Sequence, residues 1–328
     1  MKNWRFILAE QRGTLLALLL FVVMFVIYVS NHPAGFTANV VQTAANKGVL
    51  LALVAMAQTF VVLTAGIDLS VGMVFILTNC VASYVVVGSP WQVALGVLLV
   101  LLVGLACGAV NALIVIYGRL QPIVVTIATG AIFFGIALWI RPFPGSSPDF
   151  ASGLADALTG KVFDVAPASL VALLVIVLLV WMPFRHSVTG RSVYAVGSSE
   201  VAAYMSGLNV SRAKFAAYLL SGLMGAVGGL FLTFFTYAGE ASLANGNTYT
   251  LYSIAAVVLG GVSLFGGRGS IIGAIFGALA FRAIGDLLFV FDLDPLWQPL
   301  FQGVILLIAV SLGGARLFSV RNRLELFS

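Results

Sequence analysis

The sequence predicts an all-α protein, a polytopic bundle of about ten transmembrane helices. First, 61% of the 328 residues are hydrophobic and only 8% are charged, whereas a soluble domain carries roughly 25% charged residues. Second, the apolar runs are continuous and long enough to cross a bilayer as helices, rather than alternating as strands would. Third, breakers such as SNHPAG and RPFPGSSPD separate these runs.

The apolar runs define the predicted spans in chain order. They cover residues 14–30, 46–65, 70–87, 92–116, 122–140, 165–184, 213–237, 249–265, 270–289 and 297–314. The longest polar connections are 141–164, expected outside, and 185–212, expected in the cytoplasm. Neither is long enough for a separate soluble domain, so residues 1–328 are interpreted as one transmembrane domain.

Charge distribution sets the expected orientation. With the N-terminus in the cytoplasm, most of the sixteen Lys and Arg residues fall inside, and the outer loops hold most of the acidic residues. The positive-inside rule therefore predicts that both termini are cytoplasmic. The start, MKNWRFILAEQRG, followed by a long apolar run, is interpreted as a signal anchor rather than a cleaved signal peptide. The net charge of +5 is attributed to these loops and not to nucleic-acid binding.

Motifs for chemistry are missing from the sequence. No G-x-x-x-x-G-K-[ST] loop is present to cradle a phosphate. His32 and His186 are expected at opposite membrane faces, so they cannot share a metal. Cys80 and Cys107 lie inside apolar runs and are interpreted as small core residues. The chain is therefore expected to be a conduit without catalytic site, metal or cofactor.

The stretch TAGIDLSVG, residues 64–72, places Asp68 between two apolar runs. Gly66 and Gly72 would allow a broken or sharply turned backbone, and Ser70 can cap a helix that begins there. One interpretation is a discontinuous helix that lines a pathway, and the other is a tight cytoplasmic turn in which Asp68 caps a helix. We expect Asp68→Asn to impair folding or coupling more than solute selectivity.

Other polar residues lie within the predicted spans. Four of them could line a path for a polyol or could equally bond one helix to another, namely Gln58, Asn79, Asn111 and Thr126. Arg282 and Asp286 lie four residues apart on one helix face and are expected to pair with each other or with neighbours. Only Asp68 and Asp286 could serve the ion coupling of a gradient-driven carrier.

Glycines recur at helical spacing in three places: Gly104 with Gly108, Gly225 with Gly229, and Gly269 with Gly273 and Gly277. Small residues let helices approach closely in a bilayer. The 269–277 stripe could form a subunit interface or could pack within the bundle, and the sequence leaves both open.

The inner stretch GRSVYAVGSSEVAAYMSGLNVSRAKF predicts a short helix on the cytoplasmic face. Ser198 or Ser199 can cap it, Glu200 favours its first turn, and Gly207 ends it. Such a helix is either gripped by a partner or is a solvated connector.

TAGIDLSVG and this inner stretch together resemble the membrane permease of ribose-type ABC sugar importers, in the branched-chain amino acid/ribose-type permease superfamily. The likeness covers nearly the whole chain, including GGVSLFGGRGSIIGA. In such families the inner-loop helix, related to the EAA-x-x-x-G motif, docks in a groove on the ATPase. Ala202, Ala203 and Gly207 match that motif, and Glu200 stands one position before the expected acid. The resemblance implies that Ser199 and these residues couple the chain to the ATPase.

The resemblance further implies a complex in a bacterial inner membrane. It would contain two permeases, identical or homologous, two ATP-binding cassettes that hold ATP and Mg, and a periplasmic sugar-binding protein. The favoured function is the ATP-driven import of a monosaccharide. A polyol, a nucleoside or a signalling compound remains open as cargo, and so does a gradient-driven carrier that acts alone.

Overall fold

A computed structural model describes residues 11–305, 307 and 308, and these are predominantly helical. Seven helical segments within them are long and apolar enough to cross a membrane. They are α1 (Arg12–Asn31), α2 (Ala38–Val62), α4 (Pro90–Tyr117), α5 (Pro122–Ile140), the continuous segment Ala168–His186, α11 (Val210–Thr236) and α13 (Ile271–Val290). The predicted span 297–314 lies partly outside the described residues, and its part over 298–305 is helical.

Shorter elements complete the chain. They are α3 (Val71–Val85), α6 (Ser152–Thr159), β1 (Lys161–Val162), β2 (Ala166–Pro167), α7 (Ala168–Ile176), a π-helical turn (Val177–Trp181), α8 (Met182–His186), α9 (Val188–Ser198), α10 (Glu200–Met205), α12 (Leu243–Leu259) and a 3₁₀ turn (Pro295–Trp297). The two strands pair antiparallel, with Lys161 opposite Pro167. The segment Ala168–His186 therefore consists of α7, the π-helical turn and α8.

Polar residues in the connections start most helices. Ser89 and Gln92 form a capping box ahead of Pro90 at the start of α4. The side chains of Ser187, Ser199 and Asn209 accept backbone hydrogen bonds at the starts of α9, α10 and α11. These bonds satisfy amide groups that the first helical turn leaves without partners.

The core is built around α2. Within its apolar window 94% of the residues are buried, compared with 11% in α1. α11 packs against α2, α3 and α4, while α1 packs along α13. Large apolar side chains of α1, α4 and α5 are exposed on the outside of the bundle, where a bilayer would cover them.

The predicted span 46–65 corresponds to α2, which begins eight residues earlier, at Ala38, and the span 70–87 corresponds to α3 within two residues at each end. α3 has 15 residues and is about 22 Å long, which is shorter than the hydrocarbon thickness of about 30 Å. The span predicted at 249–265 corresponds to α12, which begins and ends six residues earlier, at Leu243 and Leu259. Its polar first turns, LANGNTYT, are helical because Ser242 caps them through Asn245 N.

The glycine pairs pack helices within this one chain. A Cβ at Gly222 would lie 2.1 Å from the Gly104 carbonyl oxygen, and a Cβ at Gly108 would lie 2.3 Å from the Tyr218 carbonyl oxygen. Gly273 and Gly277 meet the backbone of α12 in the same way, at Gly260 and Ala256. The 269–277 stripe is therefore packed inside the chain, and the alternative of a subunit interface along it is wrong.

The connections gather at two ends of the bundle. One end, called the basic end here, holds residues 117–122, 185–210 and 260–270, with Gly13 of α1 packed on Gly261. The opposite end holds residues 141–167 and 237–242, which meet through a bridge between Gly145 and Gly239. Most of the basic loop residues therefore share one end of the molecule, as the orientation derived from the sequence requires.

Close glycine packing predicts a size limit at Gly222. We expect Gly222→Ala to destabilise the bundle by about 1–3 kcal/mol, because its methyl group would overlap the Gly104 carbonyl of α4. Gly135→Ala is the matched control, since a Cβ there meets nothing within 4 Å. Thermal unfolding of the purified variants in detergent measures the difference, and equal midpoints would contradict this packing.

Candidate functional site

Asp68 lies in the α2–α3 connection (residues 63–70) and is only 2% exposed. Its Oδ1 accepts hydrogen bonds from Ser70 N at 2.9 Å and from Ser70 Oγ at 2.6 Å. Its Oδ2 accepts one from Ser221 Oγ of α11 at 3.0 Å. Because a buried carboxylate without partners is costly in a membrane protein, these three donors are what allow it to lie here.

The backbone of the connection is bonded to three further helices. With its amide oriented by its neighbours, Gln58 of α2 donates to the Asp68 carbonyl oxygen at 2.8 Å and accepts from Asp68 N at 3.2 Å. Leu69 N donates to Thr126 Oγ1 of α5 at 2.9 Å. At the start of α3, Gly72 N donates to Thr250 Oγ1 of α12 at 3.1 Å. The connection is thus a buried junction and not an exposed turn.

Ser70 stands at the N-cap of α3, but its hydroxyl does not cap the helix. Ser70 Oγ donates to Asp68 and accepts from Asn111 Nδ2 of α4 at 2.8 Å. Asn111 Oδ1 in turn accepts from Thr129 Oγ1 of α5 at 2.6 Å. The expected capping by Ser70 is therefore replaced by a chain of side-chain bonds that joins three helices to the carboxylate.

Gly66 and Gly72 do not supply the turn conformation expected of them. Ala65 takes the left-handed conformation instead, with φ 63°. Gly72 is needed for close approach, since a Cβ there would lie 2.0 Å from the Gly246 carbonyl oxygen of α12. At Gly66 a Cβ would come 3.0 Å from Val61 Cγ1 and 3.4 Å from the Tyr218 hydroxyl.

Asn79 bonds the middle of α3 to the end of α11 and the following loop. Its Nδ2 donates to Thr233 Oγ1 at 2.8 Å and to the Ala238 carbonyl at 3.1 Å, and its Oδ1 accepts from Glu240 N at 2.9 Å. The polar residues proposed for a pathway are all buried and bonded to neighbours: Gln58, Asp68, Ser70, Asn79, Asn111 and Thr126. Within this chain, their observed contacts are hydrogen bonds that join one helix or connection to another.

Arg141 follows α5 and contacts the last turn of α3. Its Nε donates to Ser83 Oγ at 3.0 Å, its Nη2 donates to the Ser83 carbonyl at 3.1 Å, and its guanidinium carbon lies 3.6 Å from the centre of the Tyr84 ring. α3 therefore carries a carboxylate at its N-terminus and a cation at its C-terminus. An acidic group near the N-terminus and a guanidinium near the C-terminus are the arrangement that a helix dipole favours.

The opposite end is fastened by further bonds of the outer connection. Gly145 and Gly239 exchange two backbone hydrogen bonds, at 3.0 and 2.8 Å. Tyr237, the residue after α11, donates from its hydroxyl to Asp156 of α6, and this bond raises the pKa of the Tyr237 phenol. These contacts hold residues 141–160 against the ends of α3 and α11.

Asp286 pairs with a neighbour and not with Arg282. Its Oδ1 lies 3.4 Å from Lys47 Nζ of α2. Arg282 Nε is buried without a hydrogen-bond partner among the described residues. No group of three potential metal ligands lies together in this described part of the chain.

α10 is a short helix at the basic end, as the sequence predicts. Ser199 Oγ accepts from Ala202 N at 3.3 Å, and Gly207, with φ 77°, follows the helix end. Ala203 is buried against the chain, with 4% of its surface exposed, while Ala202 is exposed. Glu200 is paired with Lys214 Nζ of α11 at 2.7 Å, so this acid is bound within the chain.

The outward face of α10 is apolar, a feature that the resemblance to the EAA-x-x-x-G motif did not indicate. Val201 and Tyr204 are each 72% exposed, and Met205 is 81% exposed. Three large apolar side chains on one helical turn at an end that carries the charged loops form a small contact patch. Their signal in the sequence was the run VAAYM between polar residues.

A cleft of about 250 Å³ lies beside Glu200, the first residue of α10. Its wall includes Gly66, Gly197, Glu200, Lys214 and Tyr218. The cleft therefore lies between the α2–α3 connection and the α10 segment, beside the Glu200–Lys214 pair.

The bonding of Asp68 predicts a graded loss of stability. Asp68→Ala leaves Ser70 N, Ser70 Oγ and Ser221 Oγ without their acceptor, which we expect to cost about 1–3 kcal/mol or more. Asp68→Asn keeps one acceptor oxygen and should cost less. Ser169→Ala is the control, because Ser169 Oγ is buried without a partner. Thermal unfolding in detergent tests the order, and an Asp68→Ala midpoint equal to the control would contradict it.

Comparisons with known proteins match nearly the whole chain. The chain is 32% identical over 306 residues to the ribose import permease protein RbsC of Haemophilus influenzae, which covers 92% of each chain. It is 34% identical to the fructose import permease protein FrcC of Rhizobium meliloti over 84% of this chain and 78% of that protein. It is 36% identical to a probable ABC transporter permease protein, y4mJ, of Sinorhizobium fredii over 84% and 80%.

No solved structure matches the chain at a significant level. The family described as branched-chain amino acid transport system / permease component matches residues 40–310. This stretch includes the α2–α3 connection, α10 and all the polar ties described above. The chain therefore belongs to the branched-chain amino acid transport system / permease component family.

Proposed function

We propose that this chain forms the translocation path of an ATP-driven importer in a bacterial inner membrane, and that its cargo is a monosaccharide. As a permease of this family the chain is itself non-catalytic. ATP and Mg are bound by a separate ATPase, and a periplasmic sugar-binding protein delivers the cargo. Two permeases, identical or homologous, complete the path.

The observation that carries this proposal is the apolar face of α10. Val201, Tyr204 and Met205 are exposed at an end of the bundle where the loops are charged. Burying about three such side chains against a partner stabilises a contact, since aromatic and methionine side chains are common anchors in protein interfaces. Ser199, Ala203 and Gly207 shape the helix, and Ala202 and the apolar face contact the ATPase groove.

The charge distribution supports a cytoplasmic position for the basic end. Arg119, Arg185, Arg191 and Arg212 all lie in or beside its connections. The positive-inside rule then places both termini in the cytoplasm and residues 141–164 outside. About ten crossings follow if α3 together with the α2–α3 connection, α12 and the segment after residue 297 complete the set of spans.

The chemistry of the chain suits a neutral cargo. Asn245 and Asn247 in the first turns of α12 are exposed. Amide groups are unfavourable against lipid chains, so this part of α12 faces water or polypeptide, where a hydroxylated solute could enter. The names of three relatives refer to ribose import, fructose import and D-allose transport, which supports a monosaccharide over a nucleoside or another polyol.

A gradient-driven carrier is less well supported. Such a carrier needs an intramembrane carboxylate that can bind the coupling ion. Both oxygens of Asp68 accept bonds from serines, and Asp286 is paired with Lys47. The two acids that the sequence offered for ion coupling therefore already have partners.

The docking role of α10 predicts loss of the ATPase from a variant. We expect Tyr204→Glu to abolish copurification of an ATP-binding cassette subunit with the tagged chain from its own cells, because a charge would enter an apolar contact. Phe163→Glu is the control, since Phe163 is 93% exposed at the opposite end and should retain the subunit. Mass spectrometry identifies the subunit, and its unchanged recovery with Tyr204→Glu would remove the docking role.

Transport by the assembled complex provides the second test. Proteoliposomes that contain permease, ATPase and receptor should accumulate labelled ribose, fructose or allose only when ATP is present on the side of the membrane where the ATPase lies. The chain alone, with an ion gradient and no ATP, should accumulate none. Uphill accumulation by the chain alone would overturn the proposal in favour of a secondary carrier.

A further inference from the structure

Three segments meet directly before α10, at a contact made of backbone atoms. Gly267 N donates to the Leu63 carbonyl oxygen at 3.1 Å. A Cβ at Gly197, two residues before the cap of α10, would lie 1.9 Å from that same oxygen and 2.6 Å from Gly267 N. We call Gly197, Gly266 and Gly267, with the Leu63 carbonyl, the glycine junction.

The glycine junction leaves no room for a side chain at Gly266 or Gly267. Gly266 and Gly267 have φ values of 81° and 67°, which residues with a Cβ rarely adopt. A Cβ at Gly266 would lie 2.7 Å from Ala65 N, and a Cβ at Gly267 would lie 2.2 Å from Ser198 Oγ. Backbone packed on backbone transmits displacement with little slack, because no flexible side chain lies between the segments.

The contact continues from the glycine junction to the start of α3. Leu63 follows α2 directly, and five residues later Asp68 is bonded to Ser70 at the N-cap of α3 and to Ser221 of α11. The cleft that Gly66, Gly197 and Glu200 line lies beside this contact. The glycine junction therefore connects the segment before α10 directly to the connection that holds Asp68 and its hydrogen-bonded partners Ser70 and Ser221.

We propose that the glycine junction and Asp68 are positioning elements that pass movement of α10 to the N-terminus of α3, so that ATP hydrolysis on the partner is coupled to opening of the path. This inference rests on the proposed function and names the part of the chain through which that function is driven. Neither element touches the solute. Both act by fixing where α3 begins relative to α9 and α11.

The number of solute molecules moved per ATP hydrolysed tests this role. In proteoliposomes with the complete complex, we expect Gly197→Ala to hydrolyse ATP but to lower this ratio by about tenfold, within the usual range of coupling between sites. Because Gly197→Ala forces the backbones apart, Ser221→Ala is the second variant, which removes only the hydroxyl bonded to Asp68. It should lower the ratio in the same direction while the ATPase still copurifies.

Matched controls separate coupling from folding. Gly135→Ala adds a methyl group in open space, and Ser169→Ala removes a buried hydroxyl that has no partner, so both should keep the wild-type ratio. A purely structural role would reduce the amount of assembled complex and leave solute moved per ATP unchanged in both test variants, and that result would overturn the inference. A wild-type complex that takes up none of D-ribose, D-fructose or D-allose would overturn the proposed function together with it.

Discussion

The structure depends on one constraint: the oxygens of a carboxyl group buried in a membrane bundle need hydrogen-bond donors. Asp68 accepts hydrogen bonds from Ser70 and Ser221. Ser70 Oγ also accepts a bond from Asn111, whose side-chain oxygen accepts one from Thr129. The cost of leaving any of these groups unpaired in a low-dielectric interior is high. The carboxylate therefore fixes the relative positions of α3, α4, α5 and α11.

The short length of α3 follows from that arrangement. Its N-terminus begins inside the bundle at Ser70, and its C-terminus ends where Arg141 bonds to Ser83. In a bilayer the free amide and carbonyl groups at such ends need partners within the protein. A helix that stops inside the membrane is tolerated here because charged and polar side chains are present at both ends.

The sequence predicted the helical class and located Asp68, because a carboxylate and two glycines interrupt an otherwise apolar stretch. It also located α10 and its cap at Ser199, since capping residues and a terminal glycine are local signals. Ser221, Thr129 and Thr250 were missed, because hydroxyls in apolar helices commonly bond their own backbone and carry no distinct pattern. The start of α2 and both ends of α12 were displaced, because hydropathy alone does not register helical turns that are polar.

Pairings between distant segments could not be predicted from one sequence. The Lys47–Asp286 contact joins residues 239 positions apart, and nothing local distinguishes it from the expected Arg282–Asp286 pair. The Gly197 contact with Leu63 is likewise a matter of tertiary packing, and the spacing of its glycines did not indicate it. Residue type thus indicated where close approach is possible, but not which segments approach.

Arg141 gives α3 a second attachment, at the end of the helix away from Asp68. The same connection that begins at Arg141 is bonded to Gly239 at the opposite end, while the other end of the helix is bonded through Asp68 toward α10. The short helix α3 is in this way bonded at both of its ends, to Asp68 at one and to Arg141 at the other. If the proposed receptor binds the end at Gly239 and the proposed ATPase binds α10, both would act on the same short helix, and no separate relay would be needed to keep the two events in step.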